Sequence, residues 1–457
     1  MADYDSEVMV MKGYLLLVIG YWGVASAADP LPLSTSYWKD PSFQKSFNGS
    51  YRIEARIEPS VSTEERGLLV EVQGLMEKGD RKSALSKVKG SKLTEKSAAL
   101  QFNLGNLQFE EGGMDEAVEA YEKAIEIYPS FRRAHRNLAM ALVRKNEMES
   151  ALEHLIEAMR LGDADGATYG LLGYCRLQRG EWESALQSYR MAQLTQPETA
   201  EWKAGVAQCL QNLNARDEAV AMLDEVIRLR PEEASYAMLQ ASILIELGRS
   251  EDAVKALELP RRLQRLDPDG LLLLADLHLR SGRVGDTRSV VDEVFAGEQK
   301  AELGRILAVI ASAMRVSEWE LAEALVTRAA SKEEQSPRGL RVASARLKIE
   351  SGKAPEEGAE ELKALLAEDP TDGRVLMALA KYESGRGDLG SAELLFERAT
   401  AVIEVSADAW VELARLRVDQ RRYGAALEAV DKALEIRPGG ELDAYRDSLT
   451  KLLDASR

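Results

Sequence analysis

The sequence predicts an all-α solenoid, and three regularities carry that prediction. Alanine recurs at Ala117, Ala151, Ala185, Ala219 and Ala253, each 34 residues after the last. A second small residue follows at Ala124, Ala158, Ala192, Ala329, Ala399 and Ala433, and proline closes the period at Pro129, Pro197, Pro231, Pro370 and Pro438. A fixed spacing of this length marks a stacked repeat, in which each unit buries its apolar face only against its neighbours. The composition agrees: of 457 residues, 45% are hydrophobic, 30% charged and only 6% aromatic, and the repeat region has no strand-like runs. A formal net charge of −17 argues against nucleic acid or anionic lipid as a general partner, because no basic stripe is present to neutralise phosphates.

Taken in order, the chain opens on an export signal. Residues 11–28 read MKGYLLLVIGYWGVASAA, with Lys12 as a positive start, an apolar stretch over 13–24 and a small-x-small cleavage site at Ala25-Ser26-Ala27. That layout is a secretory signal peptide within residues 1–27. Twelve apolar residues fall short of the roughly 20 that span a bilayer, so the mature chain is expected to carry no integral span. Asp3, Asp5 and Glu7 place negative charge where such a signal wants positive, which points to Met11, or Met9, as the true start.

Residues 28–61 are expected to form an extended arm. Pro30, Pro32, Pro41 and Pro59 hold the backbone open, aromatics cluster at Tyr37, Trp38, Phe43, Phe47 and Tyr51, and the alternation of Tyr51, Ile53, Ala55 and Ile57 suggests one short strand. The arm either caps the first repeats or awaits a partner. Asn48-Gly49-Ser50 fits a glycosylation sequon and also a turn, and the turn is preferred. Ser62-Thr63-Glu64-Glu65 is a capping box that opens the first helix.

The array is expected over 62–438, with hairpins beginning near residues 65, 98, 132, 166, 200, 234, 268, 303, 339, 373 and 407, about eleven in all. The stretch near 258–360 is less regular. Pro260 stands where the second helix wants a small residue and predicts a kink or break, and Lys353-Ala354-Pro355 falls at a hairpin turn. Gly439-Gly440 leads into a polar-faced helix within 439–457 that covers the end of the stack.

The clearest unit runs from Ala98 to Pro129. Leu100, Leu104, Leu107 and Phe109 form the apolar side of a first helix, Gly112-Gly113 breaks it, and Ala117, Tyr121, Ala124 and Ile125 form the stripe of a second. Small residues sit where two backbones approach, and the aromatic fills the gap between them. This pattern resembles the tetratricopeptide repeat (TPR), and the resemblance, which covers most of the chain, implies a right-handed superhelix.

In that family the first helices of successive repeats line a concave groove. The resemblance places Phe102, Asn106 and Phe109 there from the second repeat, then Arg133, Arg136, Met140, Val143 and Arg144 from the third, and Tyr174, Leu177, Gln178, Gln208, Gln211 and Asn212 from the next two. Arginines beside exposed aromatics suit a peptide: guanidinium forks take carboxylates and ring faces take apolar side chains. If these arginines face solvent, Arg136→Glu is expected to alter stability by no more than about 0.5 kcal/mol. Asn106 and Asn137 stand where carboxylate-clamping chaperone adaptors place asparagines, but Phe102 and Ala167 replace the clamp's lysines.

No constellation for catalysis is visible, so the chain is read as a non-enzyme with no cofactor and no metal. His135, His154 and His278 are read as lying in separate repeats without zinc spacing, and the glycines mark turns and no phosphate loop. Cys175 and Cys209 are 34 residues apart and so occupy equivalent helices in adjacent repeats. Helices pack about 8–10 Å apart, too far for a disulfide, so both are expected to be buried free thiols.

The functional expectation is an exported, periplasmic or secreted scaffold that binds protein or peptide partners in its groove. The F-x-x-S-F-x-G-S-Y element at Phe43 to Tyr51 and the Glu58-Pro59 pair are similar to TPR proteins associated with bacterial TonB-linked energy transduction, which implies inner-membrane ExbB/ExbD/TonB-type components as partners. The alternative is an adaptor in outer-membrane biogenesis or polysaccharide secretion.

Overall fold

The computed structural model describes residues 35–39, 58–331 and 336–456. The expected signal peptide, the Asn48-Gly49-Ser50 turn and the expected strand at Tyr51–Ile57 lie outside the described residues. Every regular element among the described residues is helical. The chain divides into two compact units, residues 1–265 and 266–457.

In the first unit a short helix, α1 (Thr35–Lys39), precedes six hairpins. These are α2 (Thr63–Glu77) with α3 (Arg81–Lys89), α4 (Ala98–Glu111) with α5 (Met114–Ile127), α6 (Arg132–Arg144) with α7 (Met148–Arg160), α8 (Gly166–Gln178) with α9 (Trp182–Thr195), α10 (Ala200–Asn212) with α11 (Arg216–Leu229), and α12 (Ala234–Glu246) with α13 (Ser250–Arg262). The second unit has five: α14 (Pro268–Arg280) with α15 (Val284–Ala296), α16 (Leu303–Arg315) with α17 (Trp319–Ala330), α18 (Arg338–Glu350) with α19 (Pro355–Glu368), α20 (Gly373–Gly385) with α21 (Leu389–Thr400), and α22 (Ser406–Asp419) with α23 (Tyr423–Ile436). A last helix, α24 (Gly440–Ser456), packs on α23.

The capping box forms as expected: Glu65 N donates to Ser62 Oγ at 3.2 Å and Ser62 N to Glu65 Oε2 at 2.6 Å. Two local expectations need correction. The described part of the arm, Thr35–Lys39, is helical and not extended. Pro260 neither breaks nor ends α13; it lies buried in the last turn, where its missing N–H removes one bond and two residues of helix, Arg261 and Arg262, still follow. Pro355 is tolerated for a related reason, since it opens α19 where no N–H partner exists.

Each of the eleven described hairpins turns through one left-handed residue. Glycine fills that place at 79, 112, 180, 248, 282, 352 and 387, but Asn146, Asn214, Ser317 and Arg421 fill it with φ of 61–65°. A side chain with a Cβ is strained there by about 1–2 kcal/mol, partly offset by the roughly 0.5–1 kcal/mol of backbone entropy that glycine loses on folding. Ser317→Gly is therefore expected to stabilise the chain by up to about 1 kcal/mol, read as a higher melting temperature. An unchanged or lower value would mean that the turn is unstrained.

Small residues inside the hairpins do what the repeat pattern requires. Tyr189 of α9 is buried between Gly173 and Gly205, and a Cβ on Gly173 would come within 2.9 Å of its ring, while one on Gly205 would come closer still. Gly170 is held to glycine in the same way by Trp202, whose ring such a Cβ would meet at 2.5 Å. Cys175 and Cys209 line this same core as free, buried thiols, and burial pushes each up to about 12.

Candidate partner-binding groove

The residues expected in the groove come from α4, α6, α8 and α10, the first helices of four successive hairpins, and the structure brings most of those on the first three together in a closed arrangement. Phe102, Asn106, Phe109, Arg133, Arg136, Met140 and Tyr174 are buried, Gln178 is half-buried, and Arg144 is exposed. The aromatics are thus not the exposed faces that the repeat register implied. Phe102 packs on Tyr121 and on Phe131, the residue that precedes α6. Asn106 serves the stack: its Oδ1 accepts from Tyr121 Oη at 2.7 Å and from Asn137 Nδ2 at 2.8 Å, joining α4 to α5 and α6.

The three arginines of α6 differ in their surroundings. Arg133 donates through Nη2 to Glu58, and its guanidinium lies 5.3 Å from the Phe102 ring centre and 5.9 Å from that of Phe131. Burial pulls its pKa below the ordinary value, with the Glu58 charge opposing the shift. Arg136 is anchored by the turn between α7 and α8, with Nη1 3.2 Å from Asp165 and 3.7 Å from Asp163. Arg144 stacks on Phe109 at 4.9 Å and on Trp38 at 5.7 Å.

What fills the space in front of these residues is the chain itself. Tyr37 of α1 is buried with its ring centre 5.1 Å from that of Trp202 on α10, and Trp38 lies edge-on to Phe109 at 6.2 Å. Trp202 was not legible as a site residue, nor was Phe131. Both are large aromatics at helix starts, next to the period-closing Pro197 and Pro129, and that position was their one available signal.

A polar chain runs behind the groove. Asp165 Oδ2 takes Arg136, its Oδ1 accepts from Gln196 Nε2 at 3.3 Å, and Gln196 Oε1 accepts from Trp202 Nε1 at 3.0 Å. Three hairpins are tied by it.

His135 and His154 do not lie in separate repeats: they face each other within the hairpin of α6 and α7, Nδ1 to Nδ1 at 3.0 Å. His135 Nε2 lies 2.9 Å from the Pro129 carbonyl and must donate to it, so its Nδ1 accepts from His154. Burial, then the neighbouring His135, holds the His154 imidazole below its usual 6.5. At His154 the unfolded chain therefore takes a proton more readily than the folded one, and the stability that the neutral His154 contributes is complete above about pH 6.5 and lost as pH falls below it. The melting temperature should drop from about pH 7 to about pH 5, and drop less in His154→Gln. Equal drops would show that His154 is not the titrating element. Among the described residues no group of three or more His, Cys, Asp or Glu is placed to hold a metal ion, and no helix is long and apolar enough to cross a membrane.

A family model described as tetratricopeptide repeat matches residues 75–132, 102–165, 136–201 and 377–441, and a second model of the same description matches 176–243. Together they take in just over half of the chain. Among curated proteins, the small glutamine-rich tetratricopeptide repeat-containing protein 2 of Mycosarcoma maydis is 27% identical over 99 residues, which is 22% of this chain and 28% of that protein. Solved structures with a similar fold include YrrB, described as a TPR protein with an unusual peptide-binding site (22% identity, TM-score 0.35, 38% of this chain and 91% of that one). A tetratricopeptide repeat protein from Parabacteroides merdae is similar at 16% identity and a TM-score of 0.40, over 57% of this chain and 97% of that one. PilF of Pseudomonas aeruginosa is similar at 20% identity and a TM-score of 0.38, over 45% and 91%.

Proposed function

The chain belongs to the tetratricopeptide repeat family, whose fold suits protein–protein interaction, and we propose that it is a non-enzymatic scaffold that takes a protein or peptide partner in the groove of its first unit. The observation that supports this most is Arg144: an exposed residue on the inner helix α6 whose guanidinium is stacked on Phe109 and Trp38 and carries a charge that a partner can meet. We further propose that the protein is exported, that the signal within residues 1–27 is removed, and that the scaffold serves as a periplasmic accessory of a TonB-linked energy-transduction system. The export reading is supported by the charge, apolar stretch and Ala25-Ser26-Ala27 site of residues 11–28, and the system by the Phe43–Tyr51 and Glu58-Pro59 elements.

Two measurements test this. The intact mass of protein from the periplasmic fraction should lack residues 1–27, and a retained N-terminus in the membrane pellet would refute export. Capture from envelope extract should recover ExbB/ExbD/TonB-type components, and Arg144→Glu should reduce that recovery while leaving helicity unchanged. Recovery of outer-membrane biogenesis or polysaccharide-secretion components instead would move the scaffold to that pathway. Unchanged capture by Arg144→Glu would take the partner out of this groove.

A further inference from the structure

Two cationic seats lie on one face of α6. Arg133 and Arg144 are eleven residues apart, three helical turns to within about 20°, so both project the same way, separated along the axis by about 16 Å. Arg133 is backed by Phe102 and Phe131, and Arg144 by Phe109. Each seat is filled by a residue from outside the hairpin stack: Glu58 on Arg133 and Trp38 on Arg144.

The fit at Arg133 is incomplete. The residue is 9% exposed, yet only Nη2 is engaged, while Nε and Nη1 are buried with no hydrogen-bond partner. A guanidinium that has given up water at three nitrogens and recovered one hydrogen bond is better matched by a carboxylate that binds along an edge of the fork. Glu58 and Pro59 also wall a cavity of ≈ 770 Å³, lined on its apolar side by Leu69, Val70, Met76 and Phe102. That volume is in the range of a ligand pocket.

We propose that these seats recognise a peptide with an aromatic residue and a carboxylate about five extended residues apart, since 16 Å at about 3.3 Å per residue spans that many, and that Trp38 and Glu58 are the chain's own stand-ins for that ligand. The proposal rests on the groove reading given above and adds the chemistry of the partner to it. An apolar side chain next to the carboxylate enters the cavity that Glu58 and Pro59 wall on one side. Because the stand-ins are tethered, they compete at an effective concentration on the order of millimolar, and a partner must displace them. The groove is thereby closed to weak ligands and open to those that fill both seats at once.

The test uses the full chain and a fluorescent peptide, acetyl-Tyr-Trp-Ser-Gly-Ser-Ser-Glu-Leu-amide, with binding read by anisotropy. The Trp38→Ala, Glu58→Gln double variant should bind it at least tenfold more tightly than the unaltered chain, and peptides lacking the Trp or carrying Gln for Glu should each lose at least tenfold against that variant. If the double variant loses helicity, a second readout in the unaltered chain decides: saturating peptide should accelerate hydrogen exchange at residues 35–39 and leave α4 and α6 protected. Binding without that acceleration, or with no gain in the variant, overturns the stand-in role while leaving the groove as a binding surface. No binding to either protein, with capture of the native partner still sensitive to Arg144→Glu, overturns the aromatic-plus-acid ligand but not the groove. Loss of both would bring down the groove reading itself.

Discussion

Arg136→Glu is expected to destabilise the first unit by about 3–5 kcal/mol, the scale measured when one partner of a buried ion pair is removed. The side chain of Arg136 is only 10% exposed, and its guanidinium holds Asp163, 6% exposed, together with Asp165. Reversal would place three carboxylates at one poorly solvated point with no cation to compensate them. It would also loosen the cap of α8, because Asp165 Oδ1 accepts from the N–H of Ala167. Urea denaturation followed by circular dichroism measures the loss, and Arg136→Gln, which keeps a donor, should lose distinctly less. A loss below about 0.5 kcal/mol, as expected for a solvent-facing groove residue, would mean that the turn and α6 do not pack as described.

The gap between those two magnitudes shows what a periodic sequence can and cannot convey. The hairpins were readable because the contacts that make them are local and repeated: Ala117, Tyr121 and Ala124 meet the preceding helix at offsets that recur every 34 residues. Even the hairpin around 303 forms on few consensus residues: it keeps Ala322 and Ala329, and Leu321 and Leu325 bury the rest of the same stripe with other side chains. A register assigns a residue to the inner face of its helix but says nothing about what covers that face. Asp163 and Asp165 reach Arg136 from an interhairpin turn, and Glu58 reaches Arg133 across 75 positions of sequence. Neither contact has a period.

The same limit applies to the arm. Its prolines and aromatics marked residues 28–61 as different from the array, but whether Tyr37 and Trp38 lie on the groove or apart from it depends on surfaces gathered from α4, α6 and α10. Pro260 is the opposite case, a local signal overridden by position, because in the last turn of α13 its missing N–H leaves only one carbonyl without its helical donor.

The second large effect is expected at Trp202, a fully buried ring on which the arm and two repeats converge. Trp202→Ala should destabilise the first unit by about 3–5 kcal/mol, the range for emptying a buried aromatic site. Gly170 and Tyr189 line the vacated space and are backbone-bound or ring-rigid, so little can collapse into it. The substitution also removes the donor to Gln196 and with it one end of the chain that runs through Asp165 to Arg136. Trp202→Phe separates these contributions, because it keeps most of the ring volume and loses the N–H; it should recover more than half of the loss if packing dominates. Because Tyr37 rests on Trp202, Tyr37→Ala should destabilise the unaltered protein more than it destabilises Trp202→Ala, a coupling of about 0.5–3 kcal/mol for residues in contact. Strict additivity in that double-mutant cycle would show that α1 gains nothing from the Trp202 face, and the arm would then have to be held on the groove by Trp38 and Glu58 alone.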